Sequence, residues 1–267
     1  MGLDTALIDG KRMPLGEATL SLTDDGVARG DGAFETVGVW GGRPFRRTDH
    51  LARLNSSLRA IGLPPADTDL LHAEMDQLLD GTDGDAALRM YVTASGTRAL
   101  TLTGQPARLP ARHLVPQPAP WIRPLGTYGP AGAKTMSYMP NMVATRAAQA
   151  AGGDDALLVS LEDLVLEGPT FCVLWVREGV VCTPAVDLGV IDSISRRTLA
   201  ELASDAGYDI AEGHWRLDDA TDATEFLLCS SVRPLTAVHL VGEHPFPEAT
   251  PVRDLLASAL DARRRGG

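Results

Sequence analysis

Cysteine and lysine are the scarce residue types in this chain of 267 residues. The three cysteines, Cys172, Cys182 and Cys229, form no CxxC pair. So few, and odd in number, they exclude a disulfide framework and lead us to expect reduced thiols and a cytoplasmic protein. No apolar run is long enough to span a bilayer, and Met1 to Pro14 lacks the run a signal peptide needs. Basic charge is also short: 24 Lys and Arg stand against 35 Asp and Glu, a net charge of −11. That balance argues against nucleic acid as a partner, because phosphate neutralisation needs a basic face. It leaves room for a small anion held by local arginines. The six histidines are scattered without an HExxH pattern, so no metal site is expected. Familiar nucleotide and hydrolase signatures are missing too. Gly30-Asp31-Gly32 begins like a dinucleotide loop, but Glu35 stands at the third glycine position, and neither a GxxxxGK[ST] loop nor a GxSxG elbow occurs.

Only two of the 24 basic residues are lysine, Lys11 and Lys134. Any chemistry that requires an amine therefore has two candidates. Lys11 follows Asp9-Gly10 in a turn-like, solvated setting. Lys134 sits mid-chain in Ala-Gly-Ala-Lys-Thr-Met-Ser-Tyr, which by itself equally describes a solvated strand lysine.

Periodicity gives a mixed fold. Ala33–Trp40 reads as a strand closed by a Gly41-Gly42 hairpin turn. Asp49 is a candidate N-cap for a helix to Ile61, with Leu51, Leu54 and Leu58 on one face and Gly62 and Pro64 ending it. A second helix covers Thr68–Leu79, and Leu88–Ala94 is a strand. Prolines at 106, 110, 116, 118, 120 and 124 resist helix and central strand, which suggests a linker or sheet-edge crossing. Beyond it a helix covers Met142–Ala151. Strands follow at Ala156–Ser160, Leu164–Glu167, Phe171–Arg177 and Val180–Thr183, then a helix from Ser195 to Ala206 and a strand at Glu225–Ser230. The chain thus reads as α+β in two domains, residues 1–115 and 116–267, with a ligand between them.

Taken in order, Arg29-Gly30-Asp31-Gly32-Ala33-Phe34-Glu35-Thr36, His50-Leu51-Ala52-Arg53-Leu54, Lys134 with Tyr138, Val165-Leu166-Glu167-Gly168-Pro169-Thr170, Cys182-Thr183-Pro184, Ile194-Ser195-Arg196 and Glu225 through Ser231 form a series. This series resembles the class IV aminotransferases, the fold-type IV pyridoxal phosphate (PLP) enzymes. That family includes branched-chain and D-amino acid aminotransferases and aminodeoxychorismate lyases. The resemblance covers nearly the whole chain. It implies the D-amino acid aminotransferase-like fold, with a small N-terminal α/β domain and a larger, barrel-like C-terminal domain that binds PLP and carries the Schiff-base lysine.

The same resemblance assigns roles. Lys134 is the Schiff-base lysine and the base that moves the substrate proton; a buried amine of depressed pKa suits both tasks. Glu167 pairs with the pyridine nitrogen, and Tyr138 hydrogen-bonds the phenolic oxygen. Arg53 clamps the phosphate. Ser193, Ile194 and Ser195, at a helix start whose free amides favour an anion, complete the phosphate cup with Ser231. Arg29 and Phe34 are candidates for substrate contact. Three departures stand out: Ser193 replaces a usual glycine, Cys172 a usual asparagine, and Arg29 a usual tyrosine. The implied reaction is amino transfer between an α-amino acid and a 2-oxo acid in a homodimer. The alternatives are 4-amino-4-deoxychorismate lyase, which releases pyruvate and 4-aminobenzoate, and a non-catalytic homodimer of the same fold.

Overall fold

The computed structural model describes residues 3–106, 111–119 and 131–266. Two compact units share the chain. One runs to Ala107 and includes Ala133–Tyr138; the other holds Arg108–Gly132 and Met139–Gly266. The short stretch carrying Lys134 thus packs with the first unit, whereas the sequence reading put it in the second domain.

The first unit contains β1 (Thr5–Ile8), β2 (Lys11–Pro14), α1 (Asp25–Arg29), β3 (Gly32–Trp40), β4 (Arg43–Pro44), α2 (Arg47–Ala60), α3 (Thr68–Leu79), β5 (Ala86–Thr93) and β6 (Arg98–Gly104). The strands form one antiparallel sheet in the order β2-β1-β6-β5-β3-β4. Alternate residues of β3, from Ala33 through Val37 to Val39, are buried in one core with Leu51, Leu54 and Leu58 of α2. Each such leucine contributes about 1.5–3 kcal/mol relative to exposure. Gly41 and Gly42 both have positive φ, as the two-residue hairpin requires, and a Cβ on Gly42 would meet the Thr82 carbonyl. Helix α2 starts two residues before the expected cap. Arg46 is the N-cap, and Asp49 lies in the first turn and pairs with the Arg46 side chain instead of capping.

The second unit contains β7 (His113–Pro118), α4 (Met139–Ala150), β8 (Asp155–Val159), β9 (Cys172–Arg177), β10 (Val180–Pro184), α5 (Ile194–Asp205), β11 (Ile210–Gly213), α6 (Leu217–Thr221), β12 (Glu225–Ser230), β13 (Arg233–Val238), β14 (Leu240–Val241), β15 (His244–Pro245) and α7 (Pro251–Gly266). Two sheets, β11-β10-β9-β12-β13 and β15-β14-β7-β8, enclose a core that includes Leu114, Leu157, Trp175 and Phe226. Helices α5 and α7 cover the far face of the five-stranded sheet through Leu199, Leu202 and Leu256, and α4 covers β8. Strands β9 and β12 are buried on both faces, and their stretches 172–176 and 226–229 read as apolar runs for that reason.

Strand β7 corrects the linker expectation for its own stretch. It lies between β14 and β8 although it holds Pro116 and Pro118. The Ala119 amide donates to Val159 on the β8 side, so residues 114, 116 and 118 direct their nitrogens to the other side. Pairing with β14 ends at Leu114, so both prolines fall where no N–H is required. Pro110, Pro120 and Pro124 lie outside the described residues. The expected strand Leu164–Glu167 is reduced to irregular pairing with β8 and one bridge to Arg216.

Candidate active site

The first unit assembles its chemistry on β3 and α2. Residues 134–136 run antiparallel to the start of β3. The Phe34 amide donates to the Lys134 carbonyl at 3.1 Å, and the Met136 amide donates to Gly32 at 2.8 Å. This approach needs glycine. A Cβ on Gly32 would come within 2.5 Å of the Val92 carbonyl and 2.8 Å of Met136 Sδ, and one on Gly30 within 2.8 Å of Ser137 Oγ. The glycine pair that begins like a dinucleotide loop thus serves to admit the lysine segment. The Lys134 amide donates to Ser57 Oγ at 3.0 Å. Its Nζ lies 4.2 Å from the Phe34 ring centroid and 5.2 Å from that of Tyr138, and the two rings meet edge-on.

Arg53, one turn before Ser57 on α2, is bidentate to Glu35, with Nε 2.7 Å from one carboxylate oxygen and Nη2 2.8 Å from the other. His50 Nδ1 lies 2.8 Å from Glu35. Glu35 is fully buried. Burial pushes its carboxyl up, but the Arg53 charge and hydrogen bond, with those of His50, outweigh that and hold it well below the usual carboxylate range. Burial pushes the His50 imidazole down, and Glu35 offsets this only in part. An ionised carboxylate only accepts, so Nδ1 of the neutral ring carries the proton.

In the second unit Glu167 is met by a main-chain donor. Gly168 follows Glu167 because a Cβ there would enter the Phe171 ring, and the turn closes with the Gly168 amide donating to Phe171. Buried Asn141 donates to the Pro169 carbonyl and anchors this turn. The Glu167 carboxylate accepts from the Ile191 amide at 3.3 Å. Ser193 is the N-cap of α5 and accepts from the Arg196 amide, with Ile194 and Ser195 buried in the first turn. Arg196 itself is engaged by Glu212 and Asp192. Ser231 lies in the two-residue turn between β12 and β13. Cys172 donates its thiol to the Cys229 carbonyl across the β9–β12 pair at 3.3 Å, and burial pushes that thiol up to about 12.

Of the expected site residues, Phe34, Arg53, Lys134 and Tyr138 share the first unit, while Glu167, Ser193, Ile194, Ser195 and Ser231 share the second. Arg29 ends the short helix α1, 73% exposed and paired with Asp25 of the same helix. Glu35, His50 and Ser57 escaped the sequence reading as site residues. Glu35 carried a signal nonetheless: a carboxylate at a core position of β3, between Ala33 and Val37, must find a partner. Ser57 falls four residues after Arg53, on the same helix face.

The model of the family described as "Amino-transferase class IV" matches residues 32–241. The chain belongs to this family. Among curated members it is 28% identical to the "Bifunctional aminodeoxychorismate lyase / D-amino acid transaminase" of Mycobacterium tuberculosis, covering 96% of each chain. It is also 28% identical to the "Aminodeoxychorismate lyase" of Bacillus subtilis, covering 84% of this chain and 82% of that one. Among solved members, a hypothetical aminotransferase from Mycobacterium tuberculosis in its alpha-ketoglutarate and PMP bound form superposes with a TM-score of 0.90 at 27% identity, covering 98% of this chain and 99% of that one. Its PLP-bound form gives 0.88 at 26%, covering 97% and 98%. The Escherichia coli branched-chain aminotransferase, at 17% identity and a TM-score of 0.87, shares the class IV fold.

Proposed function

We propose that this class IV member is a PLP-dependent aminotransferase that moves an amino group between an α-amino acid and a 2-oxo acid. The observation that carries this reading is the setting of Lys134. One of only two lysines, it is secured at its amide by Ser57 and at its carbonyl by Phe34, and its Nζ lies against two aromatic rings. A surface lysine has no use for such an arrangement. The donor set also suits the cofactor: an amine for an aldehyde, a guanidinium and a helix N-terminus with serines for a phosphate, and a carboxylate for a ring nitrogen.

PLP, when bound, supplies an electron-accepting ring that stabilises the charge left when a substrate Cα loses its proton. Lys134 would hold the cofactor covalently until the substrate amine displaces it, and the freed lysine amine would then take the Cα proton. Glu167 keeps the ring nitrogen protonated, and Tyr138 donates to the phenolic oxygen. Arg53, Ser193, Ile194, Ser195 and Ser231 hold the phosphate, each charge-assisted contact being worth about 1.5–3 kcal/mol. As the family resemblance implies, we take the working form to be a homodimer, and, from its few and odd-numbered cysteines, a cytoplasmic one.

A second reading, aminodeoxychorismate lyase, is favoured by the names of the Mycobacterium tuberculosis and Bacillus subtilis relatives. The two reactions diverge after proton removal, toward amino transfer or toward loss of a substituent. Purified protein incubated with PLP should show a visible absorbance band that sodium borohydride abolishes, with the added mass on Lys134. Amino donors that convert the band, followed by its recovery with 2-oxoglutarate, establish the aminotransferase. Pyruvate release from aminodeoxychorismate without an acceptor establishes the lyase. No band from folded protein overturns both.

A further inference from the structure

Phe34 grips Lys134 at both ends. Its main-chain N–H holds the lysine carbonyl at 3.1 Å, while its ring centroid lies 4.2 Å from Nζ. The ring is itself braced, edge-on by Tyr138 at 5.2 Å and stacked on Tyr91 at 6.0 Å. The face of an aromatic ring carries negative quadrupole density, so an amine over it is favoured as the ammonium and kept from swinging away. We propose that Phe34 is the positioning residue that seats the Lys134 amine whenever it is not covalently engaged. This goes beyond the substrate contact expected of Phe34 and rests on the reading of Lys134 as the cofactor-binding lysine.

Other ionisable groups lie on the elements packed against this segment. They are Tyr138 on the segment itself, Glu35 on β3, His50 and Arg53 on α2, and Arg89 and Tyr91 on β5. None of them is altered when Phe34 is exchanged for leucine, which keeps an apolar side chain but removes the quadrupole. The exchange therefore isolates the contribution of the ring.

The chain's composition makes the test direct, because Lys134 and Lys11 are its only side-chain amines. Acetic anhydride modifies only the neutral amine, so acetylation of the cofactor-free protein across a pH series, read by mass spectrometry, gives the protonation midpoint of each lysine. In Phe34→Leu the Lys134 midpoint should fall by about half to one pH unit, as loss of a partly desolvated cation–π contact predicts. Phe34→Tyr and Phe34→Trp should keep it near that of the parent, and Lys11 should stay constant throughout. If Phe34→Leu does not unfold cooperatively as a folded protein, Phe34→Met replaces it with the same expectation. A folded ring-less variant whose Lys134 midpoint is unchanged or raised overturns the seat. Borohydride trapping of PLP on the parent protein is run beside it. Trapping at Lys134 with no midpoint shift removes the seat alone, whereas no trapping at Lys134 removes the underlying reading.

Discussion

Two buried glutamates, Glu35 in the first unit and Glu225 in the second, are settled by opposite means. In the first, Glu35 is held by side chains: the guanidinium of Arg53 offsets its charge and the neutral imidazole of His50 donates a hydrogen bond. In the second, Glu225 is just as enclosed, yet it accepts from the main-chain amides of Val252 and Arg253, both at 2.8 Å, at the start of α7. Glu167 likewise takes the Ile191 amide. A side-chain solution depends on residue identity, and losing one member strands a charge. A main-chain solution depends on loop shape and tolerates changes of neighbouring side chains.

The largest expected effect concerns chemistry. Lys134→Ala should remove all borohydride-trappable PLP and all turnover, with the urea midpoint little changed; residual trapping would point to Lys11 as the amine. Next comes the contrast itself. Glu35→Ala should destabilise by about 3–5 kcal/mol, because it leaves the largely enclosed Arg53 guanidinium without its carboxylate. Glu225→Ala should cost about 1.5–3 kcal/mol, since it removes charge-assisted hydrogen bonds but strands no charge. Urea unfolding at pH 7 measures both, and equal losses would erase the distinction.

Acid should act mainly through the first unit. The folded His50 has a pKa below its ordinary 6.5, so between the two values the unfolded chain binds more protons and stability falls as pH falls. Glu35, depressed below 4.5, adds a further loss in stronger acid. Urea midpoints between pH 7 and 5 should therefore decline, and His50→Gln should flatten that slope; an unaltered slope would remove His50 as its source. The smallest effect is at α5. Ser193→Ala should cost about 0.5–2 kcal/mol as a lost N-cap, whereas Ser193→Gly should cost only a few tenths. A larger penalty for glycine than for alanine would show that the cap is not what Ser193 provides.

Sequence periodicity disclosed β3, its Gly41-Gly42 hairpin, the leucine face of α2 and, in the second half, β8, β9, β10, β12 and α5. These elements announce themselves through apolar spacing and glycine. It did not disclose β7, because proline normally forbids an inner strand and only the early end of β14 makes it permissible. Nor did it disclose where the lysine segment belongs. Residues 133–138 have no apolar period; their place is set by the space left over Gly30 and Gly32. The Glu35–Arg53 pair was hidden for a similar reason, since strand and helix periods must be laid over each other before those side chains meet.

The pairing of the lysine segment with β3 also bears on how the chain is made. The hydrogen bonds that fix it join residues far apart in sequence, 77 positions between Ser57 and Lys134 and 107 between Gly30 and Ser137. During synthesis β3 emerges long before its late neighbour, and its Gly32–Phe34 edge waits with open backbone groups. Such an edge invites pairing with another nascent chain, and closing so long a loop makes its cover a slow, late event. Fragments ending before residue 133 should aggregate more readily than the full chain, and the reactive amine should reach its place only after half of the chain has been built.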